Sequence, residues 1–317
     1  MVKKACSQSR NRYDLAQSQY QDQDQYQEQY YLEDEMFDQA TVLNFGLSCM
    51  IMGGATHASQ HAVPVTVFVH GTSLVLGKIV YTLAGMHNFS KLSKIDLAYK
   101  FGLELARSDS LNFPLSDYYS FGWRGELDFK RRETAAEELA EQLLKLVEIY
   151  KKRGQRIKLT VITHSHGGNV ALNLAQVVTN LSPDQRQLLV IDRLIMLACP
   201  VQIKTRDYVH SLVFVNIYAL YSKLDFIQVA APQFSEFQNQ LKQGEIPGSE
   251  RVFPLDLRLK QAEIKAGWRP GIPHLEFIHP SFARKLPKIL SRLDWYSEHS
   301  PTQAFLQGRL NLDLATL

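Results

Sequence analysis

Short apolar runs alternate with helical stripes through the middle of this chain. Val65 to Val69, Leu159 to Ile162, Leu194 to Cys199 and Leu212 to Leu220 are nearly continuous in apolar residues. Runs of this kind read as strands covered on both faces, as in a parallel sheet. Tyr118 to Trp123 reads as a short aromatic strand, and Ala262 to Trp268 as a final one. Between them the period changes. Leu139, Leu143, Leu146, Val147 and Tyr150 share one face of a helix over Lys130 to Lys152, with charges on the other face. Gly154 ends it. Val170, Ala171, Leu174, Ala175 and Val178 predict a second helix. Leu74, Val75, Ile79, Val80 and Leu83 predict another over Ser73 to Met86. Phe282 to Leu290 predicts a last one, opened by Pro280-Ser281 and carrying Pro287 inside it. Ser182-Pro183-Asp184 reads as a break. The alternation predicts an α/β fold with a mostly parallel central sheet and helices on both faces.

The ends of the chain follow other rules. Residues 1–40 form a polar tract in which glutamine takes every odd position from Gln17 to Gln29. Such a tract has little to bury, so disorder is expected. Residues 41–63 are an apolar lead-in. Val42 to Ala55 has the length of a signal-peptide core, but Glu33, Asp34, Glu35 and Asp38 precede it in place of basic residues. An early strand or helix of the domain is the favoured reading, with export through residues 42–58 as the alternative. A cytoplasmic location is favoured accordingly, and secretion stays open. The main domain is expected over 64–292, with 293–317 as a C-terminal extension. Residues 87–115, which mix Lys91, Lys94 and Lys100 with apolar positions, are a candidate cover for a site, and so is the proline-containing stretch 229–260.

Composition narrows the function. The chain has 317 residues, 45% of them hydrophobic, enough for a sizeable core. Its net charge of +3 gives no electrostatic case for nucleic acid. Cys6, Cys49 and Cys199 are too widely spaced for a metal cluster or a disulfide framework. No metal or organic cofactor is implied.

One stretch carries chemistry. In Lys158-Leu-Thr-Val-Ile-Thr-His-Ser-His-Gly-Gly-Asn-Val-Ala-Leu172 a strand runs through a sharp turn into a helix. A turn this tight strains its central residue and thrusts the Ser165 side chain outward. The helix behind it aims free N–H groups and a positive dipole end at that hydroxyl. The backbone N–H of His166 would stabilise an oxyanion formed there. A serine hydroxyl needs a base to take its proton, usually an imidazole held by a carboxylate.

Thr163-His164-Ser165-His166-Gly167-Gly168 resembles the nucleophile elbow of α/β-hydrolases in its lipase and esterase form, with Thr163 in place of the first glycine. Upstream, His70-Gly71-Thr72 at the end of Val65 to Val69 is similar to the oxyanion loop of that superfamily. The resemblance implies a backbone N–H from Thr72, close approach at Gly71 and a structural His70. Trp123-Arg124-Gly125 resembles a motif that borders the substrate in some relatives. Pocket candidates are thus His70, Gly71, Trp123 and His164. The resemblance also implies the order Ser, Asp, His along the chain. Asp225 follows a strand and is the first choice of acid, ahead of Asp207 and Asp192; the competing reading is a turn-capping aspartate. His274 is the first choice of base, ahead of His279, with His299 set aside. The implied activity is hydrolysis of a small-molecule ester or lipid by Ser165, His274 and Asp225, with a membrane surface reached through the substrate. A non-catalytic binding module of the same fold and an acyltransferase with the same triad are the alternatives. Acyl-chain length and oligomeric state stay open.

Overall fold

The computed structural model describes residues 62–72, 84–230, 251–299 and 310–316. Eight strands form one sheet: β1 (Val63–Val69), β2 (Gly85–Asn88), β3 (Tyr118–Gly122), β4 (Ile157–His164), β5 (Arg193–Leu197), β6 (Ile217–Tyr221), β7 (Leu259–Lys265) and β8 (Leu310–Asp313). Their spatial order is β2-β3-β1-β4-β5-β6-β7-β8. Every pairing is parallel except β2 with β3. The expected arrangement, a mostly parallel sheet with helices on both faces, is therefore what the structure has.

The helices are α1 (Leu97–Ser108), α2 (Phe129–Lys152), α3 (Gly167–Leu172), α4 (Leu174–Thr179), α5 (Pro183–Leu188), α6 (Phe226–Ala230) and α7 (Pro280–His299). The alternation of side chains along each strand divides the core between the two faces. Val65, Val67 and Val69 of β1 and Val161 of β4 pack with α2, α3 and α4. Phe68 and Ile162, one position out of phase, pack with Phe101 and Leu105 of α1 and with Phe282 and Leu286 of α7.

Helix α2 shows how the stripe works. Asp128 caps its start by accepting from the Arg131 N–H at 2.9 Å. Ala136, Leu139, Leu143 and Tyr150 are buried along one face. Gly154, at φ 70°, turns the chain out of the helix in the left-handed conformation that glycine tolerates.

The winding of the sheet decides where a site can form. From β1 the chain moves to β3 on one side, then crosses by way of α2 to β4 on the other. The carboxyl ends of β1 and β4 thus face one another at a reversal of strand order, where open α/β sheets bind their ligands.

Several elements differ from the expectations. Residues 73–83 of the predicted helix lie outside the described residues, but Gly85 and Met86 belong to β2. Gly85 sits at φ 89°, outside any helix. The candidate cover at 87–115 instead supplies β2 and the core helix α1, whose Ala98 and Phe101 are buried. Ser182 does not only break the chain. It caps α5 with a reciprocal bond to Gln185. The predicted second helix is two short ones, α3 and α4, separated at Asn173. Residues 293–299 continue α7 past the predicted end, and 310–313 form β8 on β7, so this segment extends the sheet. Trp268 lies beyond β7 in a turn and is 90% exposed. The polar tract 1–40, nearly all of the lead-in 41–63, and Cys6 and Cys49 fall outside the described residues. So do residues 231–250 of the second candidate cover.

Leu139 sits at the centre of α2 with no exposed surface. Leu139→Ala is expected to lower unfolding stability by about 2–5 kcal/mol, read from urea denaturation, through lost burial and the cavity left behind.

Candidate active site

At the end of β4, Ser165 adopts φ 54°. A left-handed backbone costs a non-glycine residue about 1–2 kcal/mol. It survives only because the surroundings fix it. The Ser165 N–H donates to the Leu197 carbonyl at 2.9 Å, and the Ser165 carbonyl accepts from Gly168 N–H at 3.0 Å. Both bonds hold the turn to the neighbouring strand and to the start of α3.

Three glycines let the backbone segments meet. A Cβ on Gly71 would lie 2.6 Å from the Ser165 Cβ and 3.3 Å from its Oγ, so the loop after β1 runs directly against the hydroxyl. A Cβ on Gly167 would lie 2.5 Å from the carbonyl oxygens of Val69 and His70. At Gly168 it would meet Cys199 Sγ at 2.3 Å and Thr163 Oγ1 at 3.3 Å. This last contact explains the threonine in the elbow. Thr163 fits because position 168 has no side chain, and its own hydroxyl donates to Ile195 O at 3.3 Å.

The loop after β1 is braced from the side. The Trp123 backbone N–H donates to His70 Nε2 at 3.1 Å, and Trp123 Nε1 donates to the His70 carbonyl at 2.8 Å. Because Nε2 accepts, the ring proton sits on Nδ1, which donates to the Gly71 carbonyl at 2.7 Å. His70 therefore holds Gly71, and Thr72 after it, in place. It is buried, and burial pulls its pKa down to about 4. Trp123 packs against His70 with rings 5.9 Å apart. Arg124 points outward toward Glu126 at 3.8 Å, so it is part of the surface.

Asp225 and His274 come together after β6 and β7. His274 Nδ1 donates to Asp225 Oδ2 at 2.7 Å, and both groups are buried. Asp225 also caps α6, since its Oδ1 accepts from Gln228 N–H at 3.0 Å. One carboxylate oxygen thus faces His274 and the other caps the turn. His274 in turn is tied to the elbow. His164 Nε2 donates to the His274 carbonyl at 3.1 Å, and the two rings lie 4.6 Å apart. Burial, then the neighbouring His274, holds His164 well below the usual imidazole range.

The other candidates sit elsewhere. His279 is exposed at the start of α7, where its Nδ1 accepts from Ser281 N–H at 3.3 Å. His299 stacks on Trp295 near the far end of that helix. Asp192 accepts from Leu159 N–H at 2.7 Å, at the entering end of β4. Asp207 is exposed in a short 3-10 helix beside Arg206. Cys199 is a buried free thiol whose pKa burial raises. Among the described residues no cluster of three or more His, Cys, Asp or Glu could hold a metal.

Sequence reasoning missed the residues that hold the acid and histidine loops. Ser222 Oγ accepts from Leu224 N–H at 3.2 Å and from Ile272 N–H at 2.8 Å, which pins one loop to the other. Arg251 spreads its guanidinium over the carbonyls of Ser222, Lys223 and Asp225, at 3.1, 3.3 and 3.0 Å. Gln228 donates to the Cys199 carbonyl at 2.7 Å. Ser222 and Gln228 stand three positions either side of Asp225, the one local signal available. Nothing in the spacing marks Arg251.

The sequence matches no protein-family model and no curated protein. Similar solved structures include an esterase from Pyrococcus furiosus, 11% identical over 74% of this chain and 82% of that one, TM-score 0.38. A Xanthomonas campestris serine hydrolase described as lacking a lid is 15% identical over 76% and 84%, TM-score 0.36. Esterase B from Lactobacillus rhamnosis is 12% identical over 75% and 77%, TM-score 0.38. The fold stands on the strand order and on the turn at Ser165.

His70 gives a pH signature. Its folded pKa of about 4 lies below the ordinary 6.5, so the unfolded chain takes up the proton first. Stability tied to His70 is full above pH 6.5 and is lost as pH falls toward 4. The loss amounts to about 3 kcal/mol. Denaturation of wild type and His70→Gln across this range is expected to show the wild-type advantage shrinking by about that amount; a constant difference contradicts the assignment.

Proposed function

We propose that this chain is a serine hydrolase that cleaves carboxylic esters, with Ser165 as nucleophile, His274 as base and Asp225 as the group that orients it. The observation that carries the proposal is the Asp225–His274 bond of 2.7 Å, on the sheet edge where Ser165 is held at φ 54° against Gly71.

The steps follow from that arrangement. With Nδ1 donating to Asp225, the lone pair of His274 lies on Nε2. Nε2 takes the Ser165 proton as Oγ attacks the ester carbonyl. The tetrahedral oxyanion is met by the backbone N–H groups of Thr72 and His166, donors that need no reorganisation as charge develops. The intermediate collapses, and the protonated His274 gives its proton to the departing alkoxide. A water then enters. His274 takes its proton, the hydroxide attacks the acyl group, and as the tetrahedral intermediate collapses the carboxylic acid leaves and His274 returns the proton to Ser165 Oγ. No step calls for a metal or organic cofactor. The substrate is a small ester or a lipid, and a membrane surface enters only by supplying a lipid substrate.

Turnover of a chain-length series of p-nitrophenyl esters tests this. Ser165→Ala and His274→Ala are each expected to lower kcat by about a thousandfold or more, while His279→Ala stays near wild type. Full activity in Ser165→Ala, or silence in His279→Ala with activity in His274→Ala, overturns the proposal.

A further inference from the structure

Little apolar packing holds the loop that carries Asp225. Ser222 to Asp225 forms one tight turn, closed by the Asp225 N–H donating to the Ser222 carbonyl at 3.2 Å. Around it Lys223, Phe226 and Ile227 are exposed, Phe226 at 68%. Asp225 itself is 1% exposed and keeps its 2.7 Å bond to His274. Something other than burial of its neighbours must hold it there.

Three contacts reach the loop from outside. The loop carrying His274 runs directly against it: a Cβ on Gly271 would lie 2.2 Å from Ser222 Oγ and 3.1 Å from the Leu224 nitrogen. That approach, with the Ile272 N–H donating to Ser222 Oγ at 2.8 Å, sets the spacing of the two loops. Lys223 Nζ lies 3.0 Å from Glu263 Oε2 on β7, but the lysine side chain is 66% exposed, and a pair so open to water contributes little. The third contact is Arg251. Its Nε donates to the Ser222 carbonyl at 3.1 Å, and its Nη2 donates to the carbonyls of Lys223 and Asp225 at 3.3 and 3.0 Å.

The chemistry of that contact favours it over the other two. Three carbonyl oxygens drawn toward one point repel one another unless a donor group sits between them. A guanidinium is always charged and presents several N–H groups in one rigid plane, so it can meet all three at once. Bonds from a charged donor are also the stronger kind. One of the three carbonyls belongs to Asp225, so Arg251 grips the backbone of the residue whose carboxylate faces His274.

We propose that Arg251 is a positioning residue for the proposed reaction: by gathering the carbonyls of Ser222, Lys223 and Asp225 onto one guanidinium, it sets the Asp225 carboxylate against His274 Nδ1. It acts through Asp225 and makes no contact with the reacting atoms. The inference rests on the serine-hydrolase reading.

The test is kcat and KM on the same p-nitrophenyl esters across pH, with circular dichroism and thermal melts as folding controls. Arg251→Met is expected to lower kcat about tenfold or more with KM within about twofold, since a displaced orienting group costs rate and not binding. The acid limb of its kcat/KM profile moves to lower pH, because the imidazolium loses part of its carboxylate. Arg251→Lys keeps the charge without the planar fork and recovers part of the lost rate. Arg251→Gln is read in the same way as the Met variant should that one not fold. In an Asp225→Asn background, Arg251→Met adds little, as for a residue acting through Asp225. Wild-type kcat in folded Arg251→Met, a change confined to KM, an unmoved acid limb, or fully additive loss with Asp225→Asn overturns the inference alone. A wild-type protein that turns over no ester overturns the hydrolase reading, and this inference with it.

Discussion

Everything at this site depends on Ser165 being held in a left-handed backbone at the end of β4. The conformation is intrinsically unfavourable, and it is what turns the side chain out of the sheet. Three neighbours without side chains make it sterically feasible. Gly71, Gly167 and Gly168 each occupy a place where a Cβ would come closer than 3.0 Å to another segment. The loop after β1 and the start of α3 can therefore both press against the same turn. Without that approach the strand, loop and helix would be separated by a layer of side chains. The backbone N–H groups near the hydroxyl would then be out of reach of a common ligand.

The sheet supplies the rest of the order. Because β1 and β4 are parallel neighbours, the loops leaving them emerge side by side. The same holds for β6 and β7, whose loops carry Asp225 and His274. Those two loops are joined by the Ser222 hydroxyl, which accepts from Ile272 N–H, while Arg251 braces the acid loop through its carbonyls. His164 then links the histidine loop to the elbow through the His274 carbonyl. Most polar groups buried here meet a specific partner, although Gln228 Oε1 and His166 Nε2 do not, and buried polar networks confer geometry of this kind when their bonds are met.

Much of this was legible in the sequence, for a physical reason. A parallel strand buried on both faces must be apolar, and a sharp turn into a helix must be small and polar, so β1, β4 and the elbow stand out. Asp225 and His274 were reached through strand ends and chain order. Other features resisted. β2 and β8 are four residues each, too short to display a period, and both occupy edges of the sheet. The helix predicted to run to Met86 cannot include Gly85, whose positive φ lies outside any helix. Thr163 in the elbow looked like a departure from the pattern. Its compensation, at Gly168, is visible only once the two positions are seen to touch. Arg251 reaches the acid loop from a different part of the chain, and Arg132 reaches His166 from another helix. Long side chains that act across the fold leave no local signature.

The most direct measurement is reaction of the folded protein with a fluorophosphonate, followed by intact mass and peptide mapping. An activated serine in this setting attacks phosphorus and displaces fluoride, so the account predicts one adduct per chain, on the peptide containing Ser165. A folded sample that takes up no label, or carries it on another residue, contradicts the central claim.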